Sequence, residues 1–317
     1  MERRDPERVV APTEERNDRT TEIDLLPTLG ILQLLNSEDA TVPALVAAVL
    51  PALAEAVDLA AAAVLAGGRV HYFGAGTSGR IAVMDAAELL PTFGMGHDTV
   101  VAHHAGGLDA LSRPAENAED DAERGSLEAS TLTSLDVAVG LTASGRTPYV
   151  GGALRKAREL GATTVLVSAN PNASLAAFAD VHVGVATGPE AIAGSTRLKA
   201  ATAQKLVLNG FSTALAVRLG RTYSNLMVDV LATNGKLRGR LVTILEEASG
   251  RSTPECTDAL TAADGELKTA LVALLAECST DDARQLLHAS SGHVRLAIGD
   301  LGPERHGVEP DAATLEA

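Results

Sequence analysis

Short β-branched runs alternate with helical segments between residues 69 and 185, and this alternation restricts the fold more than any other feature. Such alternation is typical of a parallel sheet covered by helices on both faces. It predicts an α/β fold with a doubly wound, parallel, five-stranded sheet. The predicted strands are 69–73, 98–103, 136–141, 163–168 and 181–185. The predicted helices among them are 79–89, 115–130 and 148–160.

Helical patterns flank this region. A helical period starts near Ile23, breaks at residues 36–39 and resumes over 42–66. A long helix is predicted over 195–218, opened by Ser195 and Thr196, and further helix over 222–248. In the C-terminal segment, Ser252 and Ser279 are predicted helix starts. The predicted organisation is a flexible arm at 1–20, N-terminal helices at 21–66, the sheet domain at 67–222, connecting helices at 223–250, a C-terminal helical bundle at 251–301 and a disordered tail at 302–317.

Charge and composition exclude several classes. The 317 residues carry a net charge of −15 and no basic stripe, so we predict no nucleic-acid partner. Because the overall charge repels anions, an anionic ligand must be bound by a local arrangement of hydrogen-bond donors or cations. The apolar stretch 43–66 is interrupted by charges and a proline, so we predict no membrane association. Two widely spaced cysteines and a charged N-terminus without an apolar core predict a cytoplasmic protein.

The glycine spacing GAGTSG at 74–79 follows the first predicted strand and is that of a dinucleotide-binding turn. Such a site needs an acidic residue near the end of the second strand, and none lies at 100–103. We instead predict a phosphate cradle at a helix N-terminus, formed by Gly76, Thr77 and Ser78. An ordinary strand-to-helix turn is the alternative for this loop alone.

A second hydroxyl-rich loop follows the third predicted strand. Its predicted ligand-binding residues are Ser144, Gly145, Arg146 and Thr147. The carboxyl ends of parallel strands form the ligand-binding edge of an open sheet. We therefore expect the two loops to surround one phosphate.

These loops resemble the sugar isomerase (SIS) domain, and further segments resemble the N-acetylmuramic acid 6-phosphate etherase family. The resemblance runs from about residue 13 to 300. The segments are TEERN (13–17), GAGTSGRIAVMDAAELLPTFG (74–94), AGG (105–107), AEDD (118–121), ASGRTPYV (143–150), GPE (188–190), GSTRLKAATAQKLVLN (194–209) and NLMVDVLATNGKL (225–237). The resemblance implies a homodimer without cofactor that releases D-lactate from N-acetylmuramic acid 6-phosphate in cytoplasmic peptidoglycan recycling.

The resemblance also implies the catalytic residues. Glu88 matches the proton donor to the departing lactate and Glu119 a second essential acid, although the division of acid and base roles stays open. Glu190 is a possible auxiliary acid for ring opening. The alternatives are a solvated helix face for Glu88 and a helix-terminal carboxylate for Glu190.

Ser195 and Lys199 complete the predicted phosphate- and sugar-binding set. Other candidate cations for the phosphate or the lactyl carboxylate are Arg80, Arg146, Arg197 and Lys205. His103 and His104 have no further ligands at metal spacing, so no metal is predicted. The chain departs from the family pattern at Leu89-Leu90 and at Ala201.

Two other functions remain alternatives. A non-catalytic sugar-phosphate-binding regulator on the same fold needs no paired acids. An aldose–ketose isomerase would depend on Glu190 and would not need Glu119.

Overall fold

The structure of the protein is a computed structural model that describes residues 11–113, 115, 117–230 and 235–299. These residues form two units: the described parts of Met1–Glu88 and Gly96–Leu215, and the described parts of Leu89–Met95 and Ala216–Ala317. Elements that begin in the first unit are α1 (Thr28–Asp39), α2 (Val42–Ala47), α3 (Leu50–Leu65), β1 (Val70–Gly74), α4 (Gly76–Phe93), β2 (Val100–His104), α5 (Asp109–Ser112), α6 (Ala122–Ala129), β3 (Val137–Thr142), α7 (Pro148–Glu159), β4 (Thr163–Ser168), β5 (Val181–Gly184) and α8 (Lys199–Arg218).

The five strands of the first unit form one sheet in the order β2-β1-β3-β4-β5. Every neighbouring pair is parallel, and Val70 of β1 pairs with Val100 of β2 on one side and Val137 of β3 on the other. The predicted doubly wound parallel sheet is therefore confirmed, with differences only at strand ends. The chain reverses direction of travel across the sheet between β1 and β3, which makes their carboxyl ends the switch point where such sheets bind ligands.

Both faces of the sheet are covered, as the continuous apolar strands require. On one face Tyr72 packs edge-on against Phe211 of α8, and its hydroxyl donates a hydrogen bond to Asp85 of α4. On the other face Phe73 stacks on His103 and packs in the same core as Leu154 of α7. Alternate residues of β1 thus hold helices on opposite sides.

The N-terminal region differs from the prediction in two places. Residues 36–39, expected to break a helix, instead form the last turn of α1, where Glu38 is buried. Residues 11–20, expected to be a flexible arm, contain two short 3-10 turns. Thr20 donates a hydrogen bond to the carbonyl of Ala191, and the N–H of Gly194 donates to the carbonyl of Thr13. Long-range hydrogen bonds of this kind are invisible to local periodicity.

Two predicted helices begin elsewhere or are divided. The segment 115–130 is not one helix: among its described residues, a 3-10 turn at Ala118–Asp120 precedes α6. The long helix starts at Lys199 and not at Ser195. Its first N–H groups are bonded by the side chain of Glu190, so the hydroxyls expected to open the helix lie in the preceding turn.

The second unit contains a small ribbon and a helical bundle. Helix over 222–230 was predicted wrongly: Ser224 has a φ of +52° and makes the turn between two short antiparallel strands. The predicted helix starts at Ser252 and Ser279 are both confirmed as N-caps. The elements are β6 (Thr222–Tyr223), β7 (Leu226–Met227), α9 (Gly235–Ser249), α10 (Thr253–Ala262), α11 (Leu267–Ala276), α12 (Thr280–Ala289) and α13 (Val294–Ala297).

Residues 1–10 of the predicted arm and the predicted tail at 302–317 lie outside the described residues. Within the described ranges, no single helix is long and apolar enough to cross a bilayer. The pair Thr28–Ala47 and Leu50–Leu65, bent by 61°, meets the length and composition requirement only when both parts are taken together.

Candidate active site

The first loop turns directly from β1 into α4 and depends on two glycines that touch. A Cβ on Gly79 would lie 2.5 Å from the carbonyl oxygen of Gly74, so neither position has room for a side chain. Gly76 has a φ of +53° and faces open space. Its carbonyl lies 3.2 Å from Nε2 of His104, the last residue of β2. Since a carbonyl only accepts, this nitrogen carries the proton, and the neighbouring strand thereby holds the turn in place.

The second loop is organised by the buried hydroxyl of Thr142 at the end of β3. This oxygen lies 2.7 Å from the hydroxyl of Thr147 and accepts a hydrogen bond from the N–H of Gly145 at 3.2 Å. The N–H of Arg146 donates to the hydroxyl of Ser144. The side chain of Thr147 makes no capping bond to α7.

Glu119 is brought to the switch point by an irregular segment. It lies in the 3-10 turn that follows Asn117, whose φ is +63°. Asp121 then caps α6 by accepting a hydrogen bond from the N–H of Arg124. Because of the left-handed Asn117 and the 3-10 turn, Glu119 precedes the first turn of α6 and lies near the carboxyl ends of the strands.

Two cavities meet at Glu119, which lines both. The first cavity, of about 260 Å³, is bounded by the first loop and the end of β2, and its lining residues are Ala75, Gly76, Arg80, His104, Ala105, Ala110, Ala115, Asn117, Ala118 and Glu119. The second cavity, of about 390 Å³, is bounded by the second loop, and its lining residues are Glu119, Asp120, Ser144, Arg146, Thr147, Pro148 and Ser174. The two loops therefore line separate spaces that share one carboxylate.

The other predicted acids lie elsewhere. Glu88 is exposed on α4 and lines neither cavity. Glu190 is fully buried, and its two oxygens accept hydrogen bonds from the N–H groups of Lys199 and Ala200 at 2.9 and 3.0 Å. Burial raises the pKa of Glu190, partly offset by these two bonds. Glu190 is thus the cap of α8, the alternative that the sequence left open for it.

Lys199, predicted to bind phosphate, instead belongs to a buried ion pair. Its ammonium lies 2.8 Å from Glu38 Oε2, and the two side chains are only 3% and 2% exposed. Glu38 also accepts hydrogen bonds from Asn17 and Arg19. Although burial acts to raise it, the hydrogen bonds from Lys199 and Asn17 hold the pKa of Glu38 below its usual value.

Of the remaining predicted binding residues, Thr77 and Ser195 are half-buried and Ser78 is buried, and none lines either cavity. Arg197 is exposed. Ala201 lies inside α8, where its methyl group suits a helix. No three His, Cys, Asp or Glu side chains among the described residues converge as a ligand set for a metal.

Three residues that support the loops or line a cavity were not predicted from the sequence. Asn170 donates to the carbonyl of Ser144, Ser174 lines the second cavity, and His104 holds Gly76. The first two follow β4, whose polar segment SANPNAS at 168–174 could have been found by applying the strand-end rule to the next strand.

Comparisons with known proteins show which family the chain resembles. The glucokinase regulatory protein N-terminal SIS domain matches residues 52–158. An N-acetylmuramic acid 6-phosphate etherase from Thermobifida fusca is 66% identical over 267 residues, which is 84% of this chain and 88% of that protein. The etherase from Pectobacterium atrosepticum is 50% identical over 288 residues, 90% of this chain and 95% of that protein.

Among solved structures, a phosphoheptose isomerase from Francisella tularensis aligns with 61% of this chain and all of its own, with a TM-score of 0.48 and 16% identity.

The 2-1-3-4-5 parallel sheet, the hydroxyl-rich loops at its switch point and the domain match define a SIS-domain protein. The relatives extend the match well beyond that domain. The chain belongs to the N-acetylmuramic acid 6-phosphate etherase family.

Proposed function

We propose that this protein is a carbon–oxygen lyase that converts N-acetylmuramic acid 6-phosphate and water into N-acetylglucosamine 6-phosphate and D-lactate, in cell-wall sugar recycling. The observation that carries the proposal is the 66% identity to an etherase across a chain whose Glu119 lines both cavities at the switch point. A general acid or base must lie within reach of the bond it acts on, and the position of Glu119 in the lining of both cavities supports this role for it.

The reaction proceeds by elimination and addition. Opening of the sugar ring gives an aldehyde at C1, which acidifies the hydrogen on C2. A base removes that proton, the C3–oxygen bond breaks with its electron pair going to the lactyl oxygen, and an acid protonates this oxygen. Water then adds across the C2–C3 double bond, placing its hydroxyl on C3 and a proton on C2. Two proton-transfer groups are therefore required.

Glu119 supplies one of these groups and Glu88 the other. Since Glu88 is exposed on α4 and lines neither cavity, we propose that it acts in the active site of a second copy of the chain. The phosphate binds to the hydroxyls of Ser144 and Thr147, with Arg146 as the local cation. Gly76, Thr77 and Ser78 of the first loop, at the N-terminus of α4, belong to the proposed sugar-binding part of the site.

A homodimer is the proposed assembly, working in the cytoplasm. Its support in the structure is an apolar surface around α1: Leu25, Leu29 and Leu32 are 75%, 66% and 57% exposed. Leu29 and Leu32 are three residues apart in α1 and therefore lie on the same side of that helix. Exposed apolar side chains grouped in this way are typical of interaction surfaces.

The decisive experiment incubates the purified protein with N-acetylmuramic acid 6-phosphate in H₂¹⁸O. We expect stoichiometric D-lactate and a sugar phosphate with ¹⁸O at C3. Absence of lactate would refute the etherase and leave the sugar-phosphate-binding regulator, the class to which the matched SIS domain at 52–158 belongs. Label in lactate would refute the elimination route.

A further inference from the structure

Arg80 is the local cation of the first cavity. It lies on the first turns of α4 and lines the cavity of about 260 Å³ together with Gly76, His104 and Glu119. Among the described residues of that lining, Arg80 is the one lysine or arginine. The chain carries a net charge of −15, and Glu119 adds a carboxylate to the same space. A ligand anion in this cavity therefore depends on Arg80 for its counter-charge.

Two hydrogen bonds to the main chain hold the Arg80 guanidinium in place. Its Nε donates to the carbonyl of Leu111 and its Nη2 to the carbonyl of Ala110, both at 2.8 Å. These bonds use two of the five N–H groups and fix the guanidinium plane, while the positive charge is retained. A fixed guanidinium loses little side-chain entropy on binding and matches the fork of a carboxylate.

The rest of the wall is small and apolar. Five alanines contribute to it: Ala75, Ala105, Ala110, Ala115 and Ala118. Methyl groups beside one fixed cation suit a short organic acid with an aliphatic substituent. The hydroxyls of Ser144 and Thr147 and the charge of Arg146 belong to the other cavity. A ligand whose reacting bond lies at Glu119 can therefore extend a carboxylate one way and a phosphate the other.

We propose that Arg80 is the specificity-determining residue that binds the free carboxylate of the lactyl group in the first cavity. This rests on the proposed function and adds to it a basis for substrate selection. The enzyme accepts an ether whose carboxyl group is free and discriminates against the same ether when that group is amidated, because an amide carries no charge to pair with Arg80.

The first test measures binding by calorimetry for wild type, Arg80→Lys and Arg80→Gln. The ligands are N-acetylmuramic acid 6-phosphate, with its turnover blocked by Glu119→Gln, and N-acetylglucosamine 6-phosphate, which lacks the lactyl group. We expect the Arg80 substitutions to lower the affinity for N-acetylmuramic acid 6-phosphate by on the order of 10- to 100-fold, which corresponds to the loss of a hydrogen bond between charged groups. Affinity for the sugar phosphate without lactyl should change less than about 3-fold.

Equal weakening of both ligands would overturn the proposal, since it would mean that Arg80 binds phosphate or only supports the fold. No weakening of either would overturn it as well. Arg80→Lys keeps the charge and guards against loss of folding in Arg80→Gln. The matched control is Arg155→Lys, an exposed arginine on α7 whose guanidinium lies over Phe178.

The second test compares the acid with its lactyl N-methylamide as substrates of the active enzyme. Wild type should prefer the acid, and in Arg80→Gln this preference should shrink by on the order of 10-fold or more. A preference unchanged in Arg80→Gln contradicts the proposal. If wild type turns over neither compound, the etherase function fails, while the binding ratio of the first test still decides the role of Arg80.

Discussion

The ammonium of Lys199 lies 2.8 Å from the carboxylate of Glu38, a residue 161 positions earlier in the chain, and both side chains are almost completely buried. This pair joins the end of α1 to the start of α8, where Glu190 caps the same helix through the N–H of Lys199. The lysine expected to bind phosphate thus stabilises the framework of the first unit.

Removing one member of this pair should cost stability. We expect Lys199→Met to lower the free energy of unfolding by about 3–5 kcal/mol, because the Glu38 carboxylate would stay buried without its closest cation. Urea denaturation measures the loss. The control is Lys156→Met, whose partner Glu159 is exposed. If Lys199→Met kept full stability and only weakened sugar-phosphate binding, the original phosphate-binding prediction would be right after all.

Substituting both members of the pair tests whether the buried charge causes the loss of stability. Lys199→Met leaves the buried Glu38 carboxylate with Arg19 as its remaining cation. The double variant Glu38→Leu/Lys199→Met removes this carboxylate as well, so it should recover part of the loss seen in the single variant. Additive losses would show that packing around these residues, and not their charge, dominates.

Glu119→Gln and Glu88→Gln should each reduce kcat by about 10²- to 10⁴-fold with sugar-phosphate affinity retained, since each removes one proton-transfer group. The neighbouring exposed Glu123→Gln serves as the control.

Mixing the two inactive variants distinguishes an active site shared between two chains from one formed within a single chain. If Glu88 acts across a dimer, a hybrid of Glu88→Gln and Glu119→Gln chains contains one complete site, and random reassociation should restore about a quarter of wild-type activity. Activity that stays at the level of the single variants would place both acids in one chain.

The second loop should tolerate no side chain at Gly145. Its φ is +75°, and an added Cβ would lie 2.3 Å from the Cβ of Ala173. Gly145→Ala should therefore displace the loop, costing about 1–3 kcal/mol from the backbone conformation alone and weakening sugar-phosphate binding. Gly67→Ala has the same class of φ but meets nothing within 4 Å, so it should show the backbone cost without the binding loss. Equal binding by the two variants would disprove the role assigned to the loop.

The pH dependence of stability should contain a contribution from His71. Burial lowers its pKa to about 4, with a smaller effect of His103. The unfolded chain binds a proton near pH 6.5 that the folded chain accepts only near pH 4, so the free energy of unfolding falls as the pH falls through this window. The full contribution is about 3 kcal/mol.

His71→Gln should reduce that pH dependence by a similar amount, as measured by denaturation at pH 7, 5.5 and 4. The exposed His97→Gln is the control. Parallel pH profiles for wild type and His71→Gln would show that His71 does not carry the effect.

The sequence by itself determined the α/β class, the five strands and the two loops, because these depend on short-range patterns. Alternation of β-branched runs with helices leaves few sheet topologies, and glycine followed by hydroxyl residues after a strand marks a turn into a helix. The capping positions Ser252 and Ser279 were equally local, and both were predicted correctly.

Only the tertiary structure decided which side chains share a space. Lys199, Glu190 and Glu119 look alike in sequence as charged residues near helix starts. In the folded chain, Glu190 accepts a hydrogen bond from the N–H of Lys199, and the ammonium of Lys199 bonds to Glu38. These bonds hold both side chains away from the two loops. Glu119 lines both cavities because it lies in a 3-10 turn that follows the left-handed Asn117 and precedes α6. Contacts between residues far apart in sequence depend on the path of the whole chain, and no local pattern encodes that path.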